Sequence, residues 1–125
     1  MKKVIFALTV LICIIAFGVL EQIYLHKTFS AMKEKALEIQ ELIETNPDEA
    51  YAKSTDLKNY WSQKKHLTEA VISHNETREM TLKVSELEGY TKANDQYSAQ
   101  AVVNMLVDMC DNYEHILGFS WDTIF

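Results

Sequence analysis

From Val4 to Leu20 every position is uncharged, and most are apolar (VIFALTVLICIIAFGVL); from Glu21 onward apolar residues recur at helical spacing among charged ones. As a helix rising 1.5 Å per residue, the first stretch is about 25 Å long, near the lower limit for a bilayer core of about 30 Å. Ile23, Tyr24 and Leu25 extend it. Lys2 and Lys3 can snorkel to the headgroups at one end, and Tyr24 suits the interface at the other. The pattern predicts an N-terminal membrane anchor over residues 1–24, in contact with the bilayer through 4–24. A cleaved signal is the rival reading, with Ala16-Phe17-Gly18 as a poor cut site. A retained anchor is preferred, because a helical stripe begins at Leu25 and one helix can run from the span into the first soluble helix. Ile12 before Cys13 argues against a lipoprotein. Lysines lie on both sides of the span, so a basic count alone does not orient it. A short basic N-terminus before a long domain favours a single pass in the cell membrane, with the N-terminus cytoplasmic and residues 25–125 extracytoplasmic.

The remainder reads as helices. Leu25, Phe29, Met32, Ala36, Ile39 and Ile43 make a heptad seam over about Glu21 to Thr45. It fits either an intramolecular bundle or a coiled-coil dimer. Asn46-Pro47-Asp48-Glu49 carries a cap, a proline at the first helical position and the glutamate of a capping box. A connection this short forces an antiparallel hairpin. The second helix spans Pro47 to about Ile72, with Ala50, Leu57, Tyr60, Trp61, Leu67 and Val71 expected inward. Ser73-His74-Asn75-Glu76 then breaks the pattern, and Ser73 with Glu76 matches a second capping box. A third helix runs from about Glu76 to Lys92, with Met80, Val84, Leu87 and Tyr90 inward. Threonines weaken it, and Gly89 suggests fraying or a close neighbour. Asn94-Asp95 caps a fourth, with Val102, Met105, Met109, Tyr113 and Ile116 as its stripe, widened by Leu106 and Leu117. Gly118 is expected to stop it. The apolar end, Phe119 to Phe125, is expected to fold back over the bundle, or else to meet a partner or the membrane. The expected fold is all-α: the N-terminal transmembrane helix, then an antiparallel bundle of about four helices.

Composition narrows the function. The net charge of the 125 residues is −6, and taking out Lys2 and Lys3 leaves −8 on the rest. An acidic domain repels nucleic acid, which is excluded as a partner. Three glycines and one proline argue against a sandwich or barrel. Of two cysteines, Cys13 lies in the span, leaving Cys110 alone and expected to be a buried, inert helix residue.

Few residues invite chemistry. No glycine-rich phosphate loop, H-E-x-x-H, C-x-x-C or G-x-S-x-G occurs. A di-metal bundle site needs two Glu-x-x-His pairs, and none is present. His26, His66, His74 and His115 are read as falling at different levels of different helices. Asp111 and His115 are four apart and read as a surface pair, and the Met105–Met109 stripe as core rather than haem ligation. No enzyme activity, metal or cofactor is expected. Trp61 with Lys64 and Lys65 fits either core packing or a partner surface. His74 and Glu76 fit either a polar turn or a small site. With Trp121 in the aromatic tail, these are the candidate interaction residues.

Several short patterns occur in order: Lys2-Lys3 before the apolar run, Glu21-Gln22-Ile23-Tyr24-Leu25, Trp61-x-x-Lys64-Lys65, His74-Asn75-Glu76, Leu87-x-x-Tyr90 and Ile124-Phe125. With these, the chain resembles a family of small membrane-anchored proteins of spore-forming Gram-positive bacteria, catalogued as domain of unknown function 4363. The resemblance implies no catalytic residues, since the family has no established activity. Residues 94–113 and the third helix depart from its pattern. Two functions stay open: a non-enzymatic interaction module, as accessory subunit of an integral membrane protein or of its own oligomer, and an extracytoplasmic sensory domain holding a small ligand near Trp61 and His74.

Overall fold

The computed structural model describes the backbone of residues 1–69 and 74–124, and the side chains of 1–69 and 75–113. Four helices account for nearly all of it: α1 (Lys2–Thr45), α2 (Pro47–Glu69), α3 (His74–Lys92) and α4 (Gln96–Ile124). Each helix packs on its chain neighbours, and α4 closes the ring on α1. The result is an antiparallel bundle whose first helix extends far beyond it.

That extension is the apolar run. Its large side chains from Val4 to Phe17, and Leu20, are exposed. The helix is long and apolar enough to cross a membrane, and none of the qualifying window is buried against protein. α1 passes from this bare segment into the bundle without a break. Leu25 is its first buried residue, and the whole predicted seam to Ile43 is buried. Thr28 is buried on the same face, where its hydroxyl donates to the Tyr24 carbonyl at 2.9 Å.

The turns arise from local chemistry. Asn46 ends α1 and starts α2. Its backbone N–H donates to the Leu42 carbonyl at 2.8 Å, while its side-chain oxygen accepts from the Glu49 N–H at 3.3 Å. With the backbone N–H taken, the Glu49 carboxylate accepts from the Asn46 side-chain amide instead, at 3.0 Å. At the other tight turn, Asn94 has a positive φ of 55°. The Asp95 N–H donates to Tyr90 and the Asn94 N–H to Thr91, the two bonds of a Schellman motif. The Asp95 carboxylate then accepts from the Ser98 N–H and caps α4.

Several inward stripes differ from expectation. On α2, Ala50, Ser54, Leu57, Trp61 and Thr68 are buried, whereas Leu67 is 62% exposed. On α3, Thr77 and Thr91 join Met80, Val84 and Leu87. Buried hydroxyls at Ser54, Thr68 and Thr91 are tolerated because each finds a partner, whereas among the described residues the buried Thr55 Oγ1 has none. Thr68 donates to the Lys64 carbonyl and Thr91 to that of Leu87, both at 2.9 Å, and Ser54 meets Thr91 across the α2–α3 seam at 2.8 Å. Gly89 is exposed with open space around it, so no neighbour approaches there. On α4 the buried line is Ala99, Val102, Val103, Leu106 and Cys110; Met105 is 48% exposed. Gly118 does not stop α4, which continues to Ile124, so the terminal segment prolongs the helix rather than folding back. The expectations for Val71, Ile72, Ser73 and the side chains of Ile116, Leu117 and the tail lie outside the described residues.

The two readings of α4 differ in energetics. Leu106→Ala removes a fully buried side chain and should cost about 2–5 kcal/mol. Met105→Ala should cost less than about 1 kcal/mol. Denaturant unfolding of the full-length protein in neutral detergent, monitored by circular dichroism, compares them. Equal costs would show that Met105 is packed.

Candidate interaction surface

Trp61 belongs to the interior. It is 1% exposed, stands 6.5 Å from the Phe29 ring, and donates from Nε1 to the Thr81 hydroxyl at 2.8 Å. Thr81 in turn donates to the Thr77 carbonyl at 2.9 Å. The indole is therefore satisfied and offers no surface to a partner. Its bulk brings α1, α2 and α3 together at one level.

Lys64 is half-buried between aromatic rings, its ammonium 5.4 Å from the Tyr24 centroid and 5.7 Å from that of Tyr60. Lys35 of α1 lies 5.2 Å from the Tyr60 centroid as well. Such contacts contribute about 0.5–1 kcal/mol each at partly exposed sites. They tie α2 to α1 just past the apolar run. Lys65 is half-buried, and Glu76 is exposed at the start of α3. The side chains of His74 and Trp121 lie outside the described residues.

Antiparallel packing also bears on the histidines, which lie on four different helices. Phe29 stacks on Tyr113 at 4.8 Å, and Lys64 meets Tyr24. That register brings His26, His66 and helix positions 74 and 115 to the same end of the bundle, toward the apolar run. His26 and His66 are exposed there. Among the described residues, no group of three or more His, Cys, Asp or Glu is arranged to hold a metal.

Among the described residues the core side chains pack closely, and the surface is grooved. Between the α1–α2 turn and α4, near Ile43, Ala50 and Thr91, a void of about 10 Å³ has room for one water. An open groove of about 520 Å³ runs along the α3–α4 seam, with Glu76, Glu79 and Lys83 on one wall and Met105, Asp108, Met109 and Tyr113 on the other. Of these, only Glu76 was a sequence candidate. The α4 stripe Met105-Met109-Tyr113 was legible, and it was assigned to the core.

A family model described as Domain of unknown function (DUF4363) matches residues 19–123. The chain belongs to that family. The matched segment takes in α1 from Val19, the rest of the bundle and every candidate residue above. No curated protein and no solved structure matches the chain. Family membership therefore brings no assigned chemistry to the groove, and its own geometry has to be read.

Tyr113 reports on that geometry. Burial raises its phenol to about 12, reinforced by the negative charges of Glu76, Cys110 and Glu79. Below pH 10 the phenol is protonated folded or unfolded and adds nothing to pH dependence. Between about 10 and 12 the unfolded chain ionises first, so stability falls as pH rises. Ultraviolet titration should show one tyrosinate component near 12, lost in Tyr113→Phe and moved downward in Glu76→Gln/Glu79→Gln. A midpoint unmoved by the charge change would place those carboxylates too far away to matter.

Proposed function

We propose that the protein is a non-enzymatic interaction module: a single-pass membrane protein whose helical bundle acts as accessory subunit to an integral membrane protein. The observation that carries this reading is the continuity of α1 from Lys2 to Thr45, bare along Val4–Phe17 and at Leu20, and buried on one face from Leu25. A bare apolar helix of that length needs lipid around it. With no interruption at Leu20–Leu25, the bundle is held at a fixed height and angle above the bilayer instead of on a flexible tether. Such a mount suits a domain that must meet a neighbour in the same membrane. Cutting after Gly18 would fall within a continuous helix, which favours retention. We infer the N-terminus in the cytoplasm and the bundle outside.

The close packing of the core supports interaction over ligand binding. A small molecule near Trp61 needs a cavity, and the indole there is enclosed and hydrogen-bonded. Self-association is the alternative partner within the same reading.

The test is purification of the full-length protein from native membranes in mild detergent, with mass spectrometry of what accompanies it. The reading expects the intact N-terminus and one integral membrane protein in comparable amount. It also expects that protein to persist when Val4–Leu20 is replaced by an unrelated apolar span, because the bundle carries the contact. Recovery of the protein alone as a monomer, or of a form beginning after Gly18, would contradict the reading.

A further inference from the structure

The α3–α4 groove has the chemistry of a helix-binding site. Its floor is apolar and pliable: Met105 is 48% exposed, and Met109 and Tyr113 are half-buried. Methionine floors adapt to varied apolar knobs. The rim is acidic. Glu79 and Asp108 are exposed on opposite walls, and among the described residues neither has an ion-pair partner. Among the described residues the rim cation is Lys83, which faces Glu86 at 3.5 Å. Tyr113 independently registers the negative field of Glu76 and Glu79 at the groove end. The opposite flank of α4 is different: Lys33 pairs with Asp111, Gln40 with Asn104, and Gln100 donates to the Gln40 carbonyl at 3.2 Å. α4 is thus closed toward α1 and open toward α3.

We propose that this groove docks a basic amphipathic helix of a partner protein, whose apolar face covers Met105 and Met109 while its Lys or Arg residues reach Glu79 and Asp108. Complementarity identifies the occupant. An apolar trough rewards residues at i, i+3, i+4 and i+7, and carboxylates on both rims select cations flanking that stripe. Acidic helices and anionic lipid are repelled. This deepens the accessory-subunit reading and rests on it for the partner's biological role.

The probe is a synthetic leucine–lysine amphipathic peptide two heptads long, titrated into full-length protein in neutral detergent. The readout is the methionine methyl NMR spectrum, in which Met105 and Met109 report the groove and Met32 and Met80 report the core. Saturable shifts at Met105 and Met109 are expected, with Met32 and Met80 unmoved. Glu79→Gln/Asp108→Asn should weaken binding about tenfold, or about 1.4 kcal/mol. Met105→Gln, which keeps the acidic rim, should also weaken it. Glu34→Gln/Glu41→Gln, which removes exposed charge from α1, should leave it unchanged. Equal losses in the two charge variants would reduce the effect to diffuse attraction and overturn the proposal. So would absence of shifts at Met105 and Met109, or equal binding of a control peptide of the same length with glutamate in place of each lysine. A membrane partner that co-purifies undiminished with Glu79→Gln/Asp108→Asn also overturns the groove, yet leaves the accessory-subunit reading standing.

Discussion

Between Val19 and Leu25 the surroundings of α1 change while its helix does not. On one side the helix is apolar all round and exposed from Val4 to Phe17. On the other it carries a single buried seam against α2 and α4. A helix bends sharply only where something interrupts its hydrogen-bond ladder, and no proline or tight glycine packing does so here. The bundle is therefore built on a post, and every other element is placed relative to it. α2 returns along the post, fixed at its lower end by Lys64 on Tyr24 and Tyr60. α4 returns as well, with Tyr113 stacked on Phe29.

Charged groups lie at both ends of the post, with Glu21, Glu69 and Glu76 near the apolar run. Glu38, Glu41, Glu44, Asp48 and Glu49 fall at the end away from the apolar run, beside the α1–α2 turn. The histidine positions fall at the other end, with Lys27, Lys64 and Lys65.

Some of this was legible in the sequence and some was not, for physical reasons. The α1 seam was readable because six apolar residues mark one face and the other faces are charged. The Asn46-Pro47 turn was readable because proline at the first helical position and the cap act locally. Ser54, Thr68, Thr77 and Thr91 were missed because a hydroxyl reads as polar, although it can satisfy itself on the carbonyl one turn back. Their seven-residue spacing about Trp61 and Val84 was the available signal. α4 keeps the expected Val102 and Leu106 buried, with Met109 and Tyr113 packed partly buried against the core, while Met105 is left exposed. Its apolar arc is wider than the core needs, so periodicity alone did not choose between Val103-Leu106-Cys110 and Met105-Met109-Tyr113. The polar bonds of Gln100, Asn104 and Asp111 to α1 decide it. The surplus arc became the groove floor. Trp61 was offered as core or surface, and only the partner hydroxyl of Thr81 distinguishes an enclosed indole from an exposed one.

The account stands on the unbroken post. Hydrogen–deuterium exchange of the full-length protein in lipid nanodiscs reads it directly, in peptides spanning Phe17 to Phe29. A continuous helix predicts slow exchange throughout that stretch, as slow at Val19–Tyr24 as at Leu25–Phe29. Fast exchange confined to Val19–Tyr24 would reveal a hinge between span and bundle, and the fixed mounting would be wrong.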